Sequence, residues 1–417
     1  MNLSNYRTEF DKILNRDYIT DVVRPMRKDA FENFFKTGFP TQKWENWQYT
    51  NLSTLVTEPF RLSEIPDAPK FSPEINPYEI ENINTIVIYN GHYQKAISTV
   101  PDGVQLLSSL DYFEKNSNEV ESLEDSPFDH LNTAFMDSGV SFVISQDTNV
   151  KIPVRILFIS NGEESIMSNP RIYLDMGDSS SFTFIEHHVG DAASFFQNAS
   201  FFASIGVNAS LDHIRIQSNS TTTQNMGNLK IKQETDSQYA FTQFTDGSKM
   251  GRTNINVHLN GQGANCALNG LALSHGKQHL SNYIIVEHKV PHCTSSQLFK
   301  SVLREKSSGT FNGRTIVQKN AQKTDASQSN KNLLLSKDAL MNSNPQLEIH
   351  ADDVRCTHGS TTGELDADSL FYLRSRGLDL RMAKSLLVRG FATECFDTIQ
   401  NEKVRSFIMK RFNNWLN

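Results

Sequence analysis

From about residue 141 to 351 this chain is one short β-rich segment after another, and helical periodicity is hard to find across roughly 200 residues. Residues 154–159, 171–176, 181–186, 213–217, 254–259, 283–287 and 310–317 are examples, separated by turns of Gly, Asn, Asp and Ser. Many short strands of this kind fold as a sandwich, barrel, propeller or β-solenoid. Two features favour the solenoid. No blade-length repeat recurs. Amide- and hydroxyl-rich runs such as residues 321–335 make sense where like polar side chains stack in ladders between coils. On these grounds the solenoid leads the sandwich only narrowly.

The flanks differ. Residues 1–57 read as helical, with Tyr6, Phe10, Ile13 and Leu14, then Ala30, Phe31, Phe34 and Phe35, at helical spacing. Gly38 ends that pattern, and Trp44, Trp47 and Tyr49 follow as an expected packed aromatic cluster. Residues 58–85 hold Pro59, Pro66, Pro69, Pro73 and Pro77, five of the chain's 13 prolines, and are expected to be a linker. The β region is expected over 86–360, with some helix near 128–136. A helical domain follows over 361–417, with Asp366 as N-cap and Gly377 as a stop. Val404, Phe407, Ile408, Phe412 and Trp415 form an amphipathic set expected to pack on the chain's own core.

Composition excludes several classes. The 40 basic residues against 47 acidic ones give a net charge of −7, with no basic block for nucleic acid or an anionic membrane. No apolar run approaches a membrane span, and the N-terminus does not read as a secretion signal. The four cysteines are scattered, which suits a reducing cytoplasm better than a disulfide scaffold. There is no P-loop, no nucleophile elbow, no His-Glu-x-x-His and no dinucleotide fingerprint, so a catalytic role is not expected.

Residues 347–359 carry the only Cys-x-His of the chain. If they form one strand, Leu347, Ile349 and Ala351 share one face, and His350, Asp352, Cys356 and His358 share the other. A thiol beside an imidazole suits a soft or borderline metal. The plain alternative is a solvated strand face. Glu186 with His187 and His188, His275 with His279, and Glu287-His288 with His292-Cys293 are weaker groupings, for which structural or solvated roles are expected. Asp352-Asp353 suggests a secreted-type polysaccharide hydrolase or lyase on a solenoid, but carboxylates on opposite sides of a strand do not flank one bond.

Longer stretches carry a family likeness. Ala321-Gln322-Lys323-Thr324-Asp325-Ala326, Asn332-Leu333-Leu334-Leu335-Ser336, Pro345-Gln346-Leu347-Glu348-Ile349, Ala351-Asp352-Asp353-Val354-Arg355-Cys356-Thr357-His358-Gly359 and Leu370-Phe371-Tyr372-Leu373-Arg374-Ser375-Arg376-Gly377 resemble, in order and spacing, the SufB/SufD family of iron–sulfur cluster assembly proteins. Residues 38–50 resemble its SufD branch; Ser360 stands where the family more often has Ala. The resemblance implies a right-handed parallel β-helix between helical regions. It implies a scaffold subunit, not an enzyme, that pairs with SufB and binds the SufC ATPase. It places His358, with Cys356 beside it, near the SufB–SufD contact, where iron or a cluster is assembled. SufC docking falls to the C-terminal helices, with Leu373, Arg374, Arg376, Gly377, Leu386 and Phe391 as candidates. No cofactor is expected to stay bound to the lone chain; iron or an iron–sulfur cluster would be shared transiently with SufB. A homodimer through the same surface is expected in isolation, and a stand-alone metal-binding protein is the other reading.

Overall fold

A computed structural model describes residues 3–15, 20–63, 78–116, 126–136 and 139–416. Its centre is a parallel β-solenoid of about eight turns. Each coil contributes one strand to each of two facing sheets. The first sheet runs through Gly139–Ile144, Arg171–Met176, Ser194–Ile205, Thr223–Gln233, Met250–Leu259, His279–His288, Ser308–Val317 and Leu340–Ile349. The second runs through Asn84–Tyr89, Val154–Ser160, Ser181–Gly190, Ser210–Gln217, Gln238–Thr245, Asn265–Ser274, Thr294–Leu303, Asp325–Leu334 and Arg355–Gly363. One coil takes about 29 residues, as from His279 to its neighbour Ser308.

Alternation along each strand sends one set of side chains into the lumen. Phe142, Phe184, Phe201, Ile255, Leu268 and Ile284 fill it at the N-terminal and middle coils. Like residues stack from coil to coil, as expected. Asn254 Nδ2 donates to Asn228 Oδ1 at 2.8 Å and Asn228 Nδ2 to Asn198 Oδ1 at 3.2 Å. In the lumen Gln328 Nε2 donates to Gln297 Oε1 at 3.1 Å. The corners use left-handed backbone at Asn208, Asp236, His292 and Lys323, with φ between 56° and 62°. His292 is thus a corner residue, on no common face with His288.

Helices cover the outer faces. At the N-terminus these are α1 (Ser4–Leu14), α2 (Val23–Thr37) and α3 (Ser53–Thr57); α4 (Ser109–Lys115) and α5 (Pro127–Phe135) follow. Phe10, Phe31, Phe34 and Phe135 pack with Phe196, Met226 and Met250 on the outside of the first sheet. Of the three aromatics expected to pack at 44–49, only Trp47 does; Trp44 and Tyr49 are 40% and 45% exposed. At the C-terminus come α6 (Ala367–Ser375), α7 (Leu380–Ala392) and α8 (Glu402–Leu416). Val404, Ile408, Phe412 and Trp415 bury themselves against Ile214, Phe244 and Leu271 of the second sheet. Most of the proline-rich stretch, 64–77, lies outside the described residues, while Arg61–Leu62 pairs as a strand with Ile166 and Met167.

Residues 347–359 do not form one strand. The Leu340–Ile349 strand ends in the first sheet, the chain turns through 350–354, and Arg355–Gly363 begins in the second. Ala351 is buried in the corner with Val317 and Ala321. The Lys323 N–H donates to the Asp353 carbonyl at 2.7 Å, which stacks this corner on the one before it. His350 and Asp352 are therefore not on the face of Cys356 and His358; His350 Nε2 instead meets Glu348 Oε1 at 3.0 Å.

Candidate functional site at the open end of the solenoid

The last coil has no further coil stacked on it. Leu340–Ile349 and Arg355–Gly363 are the terminal strands of their sheets. Leu340 and Ile349 are 57% and 42% exposed, whereas residues of inner coils are mostly covered. Both edges carry unspent backbone groups. The Arg355 N–H donates to the Thr324 carbonyl, so N–H groups at odd positions point back to the preceding coil. Those of Cys356, His358, Ser360 and Thr362 point outward. On the other edge Leu340 and His350 donate inward, to Ser307 and Val317. Odd positions there face out, and one of them is Pro345, which has no N–H to offer.

The side chains of Cys356, His358, Ser360 and Thr362 stand in register with Ala326, Gln328, Asn330 and Asn332. Those four are buried, so the set above them faces the end of the lumen. Cys356 and His358 are about 7 Å apart along the strand and on one face. Cys356 is half-buried against Val317, Ala321, Ala351 and Val354. Burial, with Asp325 nearby, pushes its thiol pKa up, so it is a protonated thiol at neutral pH. His358 is exposed and has no hydrogen-bond partner among the described residues. A hydroxyl relay crosses beside it: Ser360 Oγ donates to Ser343 Oγ at 2.8 Å, which donates to Asn330 Oδ1 at 2.7 Å. No group of three or more metal-ligating side chains occurs among the described residues. Cys356 and His358 present one thiol and one imidazole on this face.

Deeper in the lumen the Glu186 and His188 positions meet His213 and Arg215 from the next coil. Arg215 Nη1 donates to Glu186 Oε2, and Nη2 donates to Asn225 Oδ1 at 3.0 Å. His213 Nε2 donates to Glu186 Oε1 at 2.9 Å. His188 Nδ1 donates to Gln197 Oε1 at 3.0 Å, which leaves Nε2 to accept from Arg215. Desolvation pushes the Glu186 carboxyl up, but the Arg215 charge and the His213 N–H outweigh it and hold the pKa well below its usual value. His187 lies on the outer face of the same strand, ring to ring with Phe407. This cluster is closed to solvent and ties neighbouring coils together.

Acid sensitivity follows from the buried histidines. Burial pushes His188, His279 and His288 each down to about 4. The unfolded chain takes up protons near pH 6.5, before the folded chain does, so stability falls as pH drops from there towards 4. Each contributes about 2 kcal/mol of loss between pH 7.5 and 5, on 1.36 kcal/mol per pKa unit. Asp212, pushed up to about 6 by burial, returns about 1 kcal/mol over that range. Glu186, with its depressed pKa, adds its own loss only below its unfolded value. Urea midpoints should drop clearly from pH 7.5 to 5; an unchanged midpoint would contradict neutral burial of these rings.

The C-terminal docking candidates divide. Arg374, Arg376, Gly377 and Leu386 are exposed, and Leu373 is half-buried. Phe391 turns to its own solenoid, 5.1 Å from the Lys300 ammonium, whose Nζ donates to the Phe391 carbonyl at 2.7 Å. Gly377 has φ 95°, which ends α6, and Asp366 and Asp379 cap α6 and α7. Sequence reasoning missed Phe371, Tyr372, Leu380 and Met382, which are 75%, 57%, 45% and 52% exposed. The signal was a helix with no buried residue that still carries two adjacent aromatics. No helix among the described residues is long and apolar enough to cross a membrane.

Two family models match. Residues 158–391 match the SUF system FeS cluster assembly SufBD core domain, and residues 3–156 match the SufBD protein N-terminal region. The chain is 28% identical to the iron–sulfur cluster assembly protein SufD of Escherichia coli, over 93% of this chain and 92% of that one. It is also 28% identical to an iron–sulfur cluster assembly SufBD family protein of Synechocystis, over 89% and 86%. Similarity to the chloroplastic protein ABCI7 of Arabidopsis thaliana is 27%, over 91% and 83%.

Proposed function

This chain belongs to the SufBD family of SUF-system iron–sulfur cluster assembly proteins, and from that premise we propose that it is a non-catalytic scaffold subunit of the assembly complex. Its open solenoid end pairs with SufB, and its C-terminal helices bind the SufC ATPase. Iron or a nascent cluster is cargo held between the two subunits. The observation that carries this reading is His358, an exposed imidazole with no hydrogen-bond partner among the described residues, on an unpaired edge strand beside Cys356. A partner strand at that edge would satisfy the outward N–H groups and bring the missing ligands. Neutral imidazole and thiolate suit iron; metal binding would release the Cys356 proton.

The helices support the second contact. Phe371, Tyr372, Leu380, Met382 and Leu386 expose apolar surface beside Arg374 and Arg376, a composition typical of interface cores. ATP-driven motion of SufC would act through α6 and α7, which leave the solenoid directly after its last strand.

Anaerobic cluster assembly after co-expression with SufB and SufC tests the reading. His358→Ala should leave folding and SufC binding intact and lower assembled cluster roughly tenfold, as loss of one metal-site side chain does. Wild-type cluster yield in that variant would remove His358 from the role, and failure of the wild-type chain to co-purify with SufB and SufC would remove the scaffold.

A further inference from the structure

On the outer face of the first sheet, beginning two strands back from the open end, the segment 44–47 and the start of α5 border a cavity of about 470 Å3. That is within the usual range for small-molecule sites. Its walls include Trp44, Trp47, Phe202 and Tyr283. Trp44 is 40% exposed although an apolar indole gains by burial, so the wall it forms is an uncovered one.

Arg252 lines the same cavity and is 2% exposed. Its Nε donates to Asn254 Oδ1 at 2.8 Å and its Nη1 to the Asn46 carbonyl at 2.8 Å. The guanidinium lies 3.8 Å above the Trp47 ring and 5.3 Å from that of Tyr283. Nη2 has no hydrogen-bond partner, and no carboxylate pairs with the group, among the described residues. Burial lowers the Arg252 pKa to about 9, so the side chain remains a cation at neutral pH. A buried cation without an anion is costly, and buried charges are ordinarily paired. By contrast Arg215 in the lumen has Glu186, and Arg314 near the cavity has Glu348.

Lys230 adds a second cation to the lining. Two acids also line it, and neither pairs with Arg252. Glu45 is exposed and acts on Arg314, and Asp129 sits in the first turn of α5, where the helix amides favour a negative charge. The Asn228 and Asn254 amides, hydrogen-bonded to each other, add polar groups to the lining.

We propose that this cavity is a binding site for a small flat organic anion, with a carboxylate or phosphate on Arg252 and an aromatic body against Trp44 and Tyr283. The anion completes the charge of Arg252, and the planar walls select a flat body over a bare ion. The site is independent of the open solenoid end.

Calorimetric titration of the full chain with phenyl phosphate and with benzoate tests it, with inorganic phosphate and phenol as the anion-only and ring-only controls. Trp44 and Trp47 are two of the chain's three tryptophans, so indole fluorescence gives a second readout. At least one aromatic anion should bind at one site about tenfold tighter than either control, and the tighter of the two names the headgroup. Arg252→Gln should weaken it about tenfold or more. Because that substitution also removes a contact to the N-terminal segment, Trp44→Ala, at an exposed side chain, provides the second variant. It should keep the wild-type melting temperature and weaken binding several-fold. Aromatic anions that bind no tighter than inorganic phosphate, or unchanged binding in Trp44→Ala, would overturn the proposal.

Discussion

Arg215→Met is expected to cost about 3–5 kcal/mol of folding stability, the range for removing one member of a buried ion pair. The side chain is fully buried in the lumen. Its guanidinium donates to Glu186 and His188 of the preceding coil and to Asn225 of the next strand, across the lumen. Methionine fills much of the volume but leaves Glu186 as an anion in the core, held only by the His213 N–H. It also strips the donor from the His188 Nε2. The space was made for a guanidinium: at Gly227 a Cβ would lie 2.7 Å from Arg215 Nη2. A loss of this size is a large part of the roughly 5–15 kcal/mol that holds a typical domain together. Soluble yield should fall and the urea midpoint should drop sharply. Adding Glu186→Gln to Arg215→Met should recover part of the loss, because the second change removes the stranded charge. A loss under about 1 kcal/mol for the single variant would mean that the ion pair does not anchor the coils.

The same cluster marks the limit of what the sequence discloses. The alternation of short strands and polar corners was legible, and so was the stacking of amides between coils. Strands such as Thr223–Gln233 were not, because Asn225 and Gln224 break the apolar alternation where the lumen itself is polar. A buried Arg–Glu pair some 29 residues apart looks, in one dimension, like two solvated charges. The turn at 350–354 was missed for a related reason. It has no Gly or Pro, and its corner is set by Ala351 packing on Ala321 of the previous coil, a contact no local pattern records. Cys356 and His358 were found by chemistry and keep their common face, whereas His350 and Asp352 lose theirs to that corner. At the C-terminus, periodicity separates buried from exposed positions in α8. It fails for Phe371 and Tyr372, because their apolar side chains stay exposed.

Ser360→Pro is expected to abolish stable pairing with SufB while leaving the chain folded. The Ser360 N–H points outward from the terminal strand, since Arg355 and its odd-numbered followers donate back to the Asp325–Leu334 strand. Proline there removes a donor that only a partner strand could use, and its ring projects into the space the partner backbone would occupy. An unmet backbone group in the new ladder plus the ring's bulk costs about 3 kcal/mol, near a hundredfold in affinity. Thr361→Pro is the counterpart. Its N–H faces inward, so it should loosen the Arg355–Gly363 strand and lower the melting temperature. Ser360→Ala separates the hydroxyl from the amide, because it loses only the Ser343 contact and should bind SufB normally. Natural protection of the other edge follows the same geometry: Pro345 lies at an outward position of Leu340–Ile349, which leaves that edge one donor short for indiscriminate strand addition. A partner evolved for this end must place no acceptor opposite Pro345. Co-purification of the three variants with SufB, read against their melting temperatures, checks the assignment; full SufB binding by Ser360→Pro would show that pairing does not run through this edge.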